Sequence, residues 1–137
     1  MTLGIQAYDH VAIKVSSRQR SVVFYESLGF AVVPDLSNDR VAEMVTTASV
    51  RINLIFNGEA RQCAANILMD EPEKWPGYTH AAFIVDDMND VLRFADANGI
   101  EITEGPLDWG RRLTCFLRDP DGNVLEFNQL THRETAE

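Results

Sequence analysis

The sequence contains little of three features that mark particular protein classes: cysteine, positive charge and long apolar runs. Its two cysteines, Cys63 and Cys115, do not have a metal-binding spacing. A net charge of −9 argues against nucleic acid or an anionic membrane surface as a partner. No apolar run approaches the length of a transmembrane helix, and the first residues lack the basic and apolar regions of a signal peptide. We therefore expect a cytoplasmic protein without a nucleic-acid or membrane partner.

The chain does contain one pattern of predicted elements that occurs twice. Residues 8–15 and 79–85 both alternate as strands, and each run is followed by a predicted helix that ends at Gly29 or Gly99. At a constant offset of 70 residues, the two strands and the two helix ends coincide. Further strands are predicted in both halves, at 30–36, 41–47, 50–57 and 100–103. Residues 113–129 are predicted to form a hairpin with apolar flanks at 115–117 and 124–127.

The pattern of elements in each half therefore predicts a βαβββ module, and the predicted fold class is α+β. With 137 residues, neither half could bury both a sheet and a helix alone, so we expect one domain over residues 1–137. Module one covers about 5–58, a polar connection covers 59–78, and module two covers about 79–130.

A carboxylate inside an apolar strand is the first candidate for function. Glu126 follows the turn Asp119-Pro120-Asp121-Gly122, and alternation places it on the face turned away from the core. That face is directed either to bulk solvent or to a cavity lined by other residues. A charge within a strand is costly unless it is paired or bound to a metal. His10 and His80, which coincide at offset 70, point to the same kind of face. Two imidazoles and one carboxylate can hold a divalent metal with positions left open.

The same alternation predicts residues that would contact a substrate. Shifting the offset to 71 for the last strands matches Ile55 with Glu126, and Glu43 with Thr114. Glu43 and Asn53 then point inward, and Glu43 is either a catalytic base, an outer-shell ligand or an exposed strand residue.

A second group of polar side chains precedes the hairpin. Arg111 and Arg112 follow Trp109-Gly110, and guanidinium groups bind carboxylate or phosphate oxygens through paired hydrogen bonds. We interpret them as an anion clamp beside Trp109, with solvated loop charges as the alternative. The remaining histidine, His132, lies in a polar tail and is expected to be solvated.

Four segments carry a resemblance to a known family. DHVAIKV, FYESLGF, THAAFIV and FLRDPDGNVLEF resemble the vicinal oxygen chelate superfamily over about residues 5–130. That superfamily includes glyoxalase I, extradiol dioxygenases, and fosfomycin- and bleomycin-resistance proteins. The resemblance implies two βαβββ modules in a cupped mixed sheet with helices on the outer face. It also implies one Fe, Mn, Ni or Zn ion on His10, His80 and Glu126, and a homodimer.

Two positions depart from the family pattern. At offset 71, the fourth ligand and base of glyoxalase I falls on Ile55. The tyrosine that ring-cleaving dioxygenases and fosfomycin enzymes have ten residues before the Glu ligand falls on Phe116. We therefore expect a divalent-metal-dependent enzyme that acts on a small oxygenated, anionic substrate by lyase- or isomerase-type Lewis-acid chemistry. Phe116 and Asn53 would contact that substrate, and Glu43 and Glu126 would be catalytic. The alternatives are an Fe(II) ring-cleaving dioxygenase and a bleomycin-resistance-like binding protein.

Overall fold

The fold is known from a computed structural model, which describes residues 1–131; His132 and the residues after it lie outside the described part. The chain divides into two compact units, residues 1–60 and 61–137. Each unit contains one α-helix and one four-stranded sheet. Within residues 1–131, neither α-helix is long and apolar enough to cross a membrane.

The first unit is a βαβββ module. Its sheet has the strand order β1-β4-β3-β2, with β1 parallel to β4 and the other pairs antiparallel. Alternate residues of β3 and β4 are buried, and the helix begins after Ser17, whose hydroxyl accepts a hydrogen bond from the Arg20 N–H. The elements are β1 (Val11–Lys14), α1 (Arg18–Ser27), β2 (Ala31–Val32), β3 (Val41–Val45) and β4 (Arg51–Ile55).

The second unit repeats this architecture. Its sheet has the order β5-β8-β7-β6, with β5 parallel to β8. The helix is capped by Asp87, whose carboxylate accepts from the Asn89 N–H. The predicted α+β class with two βαβββ modules is confirmed. The elements are β5 (His80–Ile84), α2 (Met88–Ala97), β6 (Glu104–Asp108), β7 (Arg112–Arg118) and β8 (Val124–Leu130).

Two predicted strands differ from the structure. Of residues 30–36, only Ala31–Val32 form a strand, because a short 3-10 helix begins at Pro34, which has no N–H to donate to a sheet. The predicted strand at 100–103 is wrong: β6 begins at Glu104, which lies opposite Phe116 in β7. Residues 100–103 form a connection before that strand.

The strand registers also correct the repeat within the hairpins. Glu43 lies opposite Asn53 in the first sheet, and Phe116 lies opposite Glu126 in the second. The hairpins therefore coincide at an offset of 73 residues, from Asn53 to Glu126, and not at 71. Asn53, rather than Ile55, is the counterpart of Glu126.

The first and last strands of each module confirm this register. The Val15 N–H donates to the Ile55 carbonyl at 2.9 Å, and the Val85 N–H donates to the Asn128 carbonyl at 2.9 Å. Because Val15 and Val85 coincide at offset 70, Ile55 is the counterpart of Asn128.

The polar connection packs against the second module. The Asn66 side-chain amide donates to the Gly122 carbonyl at 3.0 Å, and Arg118 donates two hydrogen bonds to Asp70. Gly122 has a φ of +83°, and a Cβ at that position would lie 1.9 Å from the Ala64 carbonyl oxygen. Residue 122 must therefore be glycine for this close approach.

The Asp70–Arg118 pair predicts an acid-sensitive contribution to stability. Hydrogen bonds from Arg118 and from the Asn66 N–H lower the pKa of Asp70 from 3.8 to about 2. The stabilisation is therefore complete above the unfolded pKa and is lost as the pH falls from about 4 towards 2. We expect Asp70→Asn to lower the free energy of unfolding by about 1 kcal/mol at neutral pH. Urea denaturation of both proteins between pH 7 and pH 2 measures this difference.

Asp90→Asn is the matched control, because Asp90 pairs with Arg93 on an exposed helix surface. We expect that substitution to change stability by less than about 0.5 kcal/mol. A difference between wild type and Asp70→Asn that stayed constant down to pH 2 would contradict the assignment.

Candidate active site

A histidine and a carboxylate meet on the second sheet. His80 is the first residue of β5, and Glu126 lies in the middle of the neighbouring parallel strand β8. The His80 Nε2 and the Glu126 Oε1 are 3.1 Å apart, and the two side chains are 28% and 19% exposed. The carboxylate therefore has a partner and is mostly shielded from water. Phe116, directly opposite Glu126, packs edge-on against the His80 ring at 5.5 Å.

Three further polar residues orient this pair. The Asn128 side-chain amide donates to the Glu126 Oε2 at 2.6 Å, and the Thr114 hydroxyl donates to the Asn128 Oδ1 at 2.6 Å. The Thr79 hydroxyl lies 2.8 Å from the His80 Nδ1. We call these five residues the second-sheet network. Thr79, Thr114 and Asn128 were not predicted as site residues, although alternation places Asn128 on the same face as Glu126.

The network fits a metal-binding role for its two central side chains. Metal–nitrogen and metal–oxygen bonds of about 2.1 Å place two adjacent octahedral ligands roughly 3 Å apart. The 3.1 Å between His80 and Glu126 matches that separation. Outer-shell hydrogen bonds on both side chains are also typical of metal ligands. Among residues 1–131, however, no three His, Cys, Asp or Glu side chains form a group that could hold a metal.

The predicted ligand of the first unit is His10. It immediately precedes β1, and its Nδ1 lies 2.6 Å from the Asp9 carboxylate. A carboxylate on one ring nitrogen fixes the orientation of the imidazole, which is a frequent feature of metal-ligating histidines.

The two inward residues predicted in the first unit lie opposite each other. The Glu43 Oε2 accepts a hydrogen bond from the Arg51 Nη1 at 2.7 Å, and both Arg51 and Asn53 belong to β4. Glu43 is mostly shielded, with a side chain that is 17% exposed. The Asn53 Oδ1 is buried and has no hydrogen-bond donor in the described part of the chain.

The predicted anion clamp is divided by the β6–β7 turn. Arg112 is the first residue of β7, and alternation places it on the same face as Thr114 and Phe116. Arg111 lies in the exposed turn, next to Trp109, which is 64% exposed. Only Arg112 therefore shares a face with the second-sheet network.

The sequence and fold match known proteins. The model of the Glyoxalase/Bleomycin resistance protein/Dioxygenase superfamily matches residues 7–127. The chain belongs to this superfamily. The glyoxalase superfamily has members that are metal-dependent lyases and dioxygenases, as expected from the resemblance found in the sequence.

Two relatives within the superfamily match most of the chain. Virulence protein STM3117 of Salmonella typhimurium is 30% identical over 134 residues, covering 91% of this chain and 85% of the relative. Lactoylglutathione lyase of Haemophilus influenzae is 28% identical over 127 residues, covering 86% of this chain and 88% of the relative. The crystal structure of a glyoxalase/dioxygenase from Nostoc punctiforme is 21% identical and covers 94% of each chain with a TM-score of 0.73, which shows a common fold.

Proposed function

We propose that this superfamily member is a divalent-metal-dependent enzyme that acts on a small oxygenated, anionic substrate by lyase- or isomerase-type chemistry. The observation that carries the proposal is the His80–Glu126 pair, with its ligand-like separation of 3.1 Å and its outer-shell hydrogen bonds. The similarity to a lactoylglutathione lyase supports the same reaction class.

The proposed ligands are His10, His80 and Glu126, and the ion is Fe, Mn, Ni or Zn. His10 is included because it is the counterpart of His80 at offset 70 and because Asp9 orients its ring. When bound to these residues, such an ion would supply Lewis acidity for the polarisation of substrate oxygens.

The protein side chains supply binding and proton transfer in this proposal. Glu43 takes a proton from the substrate, and the guanidinium of Arg51 holds its carboxylate in place. Asn53 and Phe116 contact the substrate, and Phe116 also restrains the His80 ring. Arg112, with Arg111 and Trp109 in the adjoining turn, binds the anionic end of the substrate.

Reconstitution under anaerobic conditions tests the proposal. Protein purified without metal is loaded separately with Fe(II), Mn(II), Ni(II) or Zn(II). Each form is assayed for thioester formation from methylglyoxal and glutathione, and for oxygen uptake with a panel of catechols. We expect metal-dependent turnover without oxygen uptake, and its loss in Glu126→Gln. Turnover-linked oxygen uptake would identify a dioxygenase, and ligand binding without turnover in every metal form would identify a binding protein.

The anion clamp predicts a defect in substrate binding. Each charge-assisted hydrogen bond contributes roughly 1.5–3 kcal/mol, so Arg112→Ala should raise KM about ten- to a hundredfold on the substrate identified above. Arg111→Ala is the matched control: it removes the same charge from the exposed turn, and we expect a smaller effect. The clamp is refuted if the double variant retains the wild-type KM.

The compartment proposed for this protein is the cytoplasm. Both cysteines are free thiols, and burial raises the pKa of the Cys115 thiol, which keeps it protonated and unreactive. Free thiols are typical of a reducing compartment.

We also propose that the protein is a homodimer. The first strand of each module, β1 or β5, lies at an edge of its own sheet. Residues before these strands expose large apolar side chains, among them Leu3, Ile5, Tyr8 and Tyr78. Exposed apolar side chains next to a strand at the edge of a sheet favour association with another chain.

The dimer makes a testable arrangement possible, in which His10 of one subunit joins His80 and Glu126 of another. Mixing the inactive His10→Ala and Glu126→Ala variants should then restore about a quarter to a half of the wild-type activity, because some mixed dimers contain one intact site. Light scattering of the wild-type protein should give twice the chain mass of 15.4 kDa. A monomer at micromolar concentration would refute the dimer, and a dimer without restored activity would place all three ligands in one chain.

A further inference from the structure

The Asn53 side chain has a hydrogen-bonding requirement that the described chain does not meet. Its Oδ1 is buried and accepts no hydrogen bond from residues 1–131. Buried polar atoms in folded proteins almost always have a partner, and one without a partner destabilises the fold. A buried polar atom that has no partner within the described protein is therefore a candidate contact for a ligand.

Comparison with the second module shows what Asn53 lacks. Its counterpart Glu126 receives a hydrogen bond from Asn128 and lies beside His80. In the first module, the counterpart of Asn128 is Ile55, whose side chain has no donor. The His10 Nδ1 contacts the Asp9 carboxylate, and the neighbouring Arg51 donates to Glu43.

We propose that the Asn53 Oδ1 accepts a hydrogen bond from a neutral donor on a bound small molecule, either a hydroxyl or an amide N–H. The chemistry around it favours a donor, because the residue directly opposite is Glu43, whose carboxylate is a second acceptor. An anionic group would be repelled by both oxygens, so the charged end of the ligand lies elsewhere. This inference rests on the proposed function only in taking the ligand to be the substrate.

Stability measurements without any ligand test whether the Asn53 amide lacks a partner. Asn53→Leu removes the unsatisfied oxygen while keeping the side-chain size, and we expect Tm to rise by about 2–6 °C. Asn128→Leu is the matched control in the second sheet. Both the oxygen and the nitrogen of its side-chain amide have hydrogen-bond partners, so we expect Tm to fall by at least as much.

Asn53→Ala guards against a packing defect caused by leucine, and a rise in Tm with either Asn53 variant supports the proposal. A fall in Tm with both variants, comparable to that of Asn128→Leu, would overturn it. That result would show that the Asn53 amide is already satisfied within the protein.

Side-chain NMR tests the class of ligand. Wild-type protein labelled with ¹⁵N and ¹³C is titrated with N-methylacetamide, isopropanol and N,N-dimethylacetamide, and the Asn53 amide signal is assigned by its absence in Asn53→Leu. We expect a shift with N-methylacetamide or isopropanol, which are donors, and none with N,N-dimethylacetamide, which is not. An equal shift with all three probes, or no shift with any, would overturn the proposal. Neither measurement uses turnover, so a wild-type protein without activity would refute the proposed function alone.

Discussion

His80→Ala should reduce the metal content of the purified protein from about one divalent ion per chain to less than about 0.1. The substitution removes one of two side chains that lie at ligand separation, and among residues 1–131 it leaves Glu126 with the amide of Asn128 as its side-chain partner. A site that loses one of three protein ligands loses most of its affinity, since outer-shell substitutions alone typically cost ten- to a hundredfold. Mass-spectrometric metal analysis after dialysis at neutral pH measures the change.

Two further variants make this result specific. His132→Ala removes a histidine that was not predicted to be a ligand, so its metal content should equal that of wild type. Asn128→Ala keeps all three proposed ligands and removes the outer-shell hydrogen bond to Glu126 together with the Thr114 contact, so we expect affinity to fall about ten- to a hundredfold. Stoichiometric metal retained by His80→Ala would eliminate the proposed site.

The sequence was sufficient to predict the architecture because the repeat and the strand alternation are local signals. The turn at Asp119-Pro120-Asp121-Gly122 predicted a hairpin, and alternation placed Glu126 on the face away from the core. The matched positions of His10 and His80 are likewise local, because α1 and α2 both have ten residues and both begin eight residues after the histidine.

The register of the hairpins could not be predicted, and the cause is a single connection. The Val33 N–H donates to the Glu43 carbonyl and the Thr103 N–H donates to the Phe116 carbonyl, so residues 33 and 103 still coincide at offset 70. Three additional residues lie between Thr103 and Phe116, in the connection around β6, and they shift the offset from 70 to 73. Strand pairing depends on hydrogen bonds between distant segments, so a local pattern does not reveal such a shift. The error moved the counterpart of Glu126 from Asn53 to Ile55.

The site was predictable only where strand alternation applies. Alternation predicted the faces of Glu126 and Asn53, but a turn has no fixed period. Arg111 and Arg112 were therefore predicted as one clamp, although only Arg112 belongs to a strand. The Glu43–Arg51 contact was also missed, because a pair between neighbouring strands depends on register.

The corrected register bears on how the proposed reaction proceeds, because it makes Glu43 the counterpart of Phe116. In the second hairpin, Phe116 lies opposite Glu126. At the same position of the first hairpin, Glu43 lies opposite Asn53. Phenylalanine cannot transfer a proton, whereas a carboxylate can. Of the two counterparts, Glu43 is thus the one that can act as a general base.

Glu43→Gln should lower kcat by about a hundred- to ten-thousandfold, with little change in KM, because it removes the proton acceptor and keeps the shape of the side chain. Steady-state kinetics on the substrate identified by reconstitution measure both constants, and metal analysis verifies that the ion is retained. Glu26→Gln, at an exposed position of α1, is the matched control and should be fully active. A kcat within about threefold of wild type would remove Glu43 from the mechanism and leave proton transfer to Glu126.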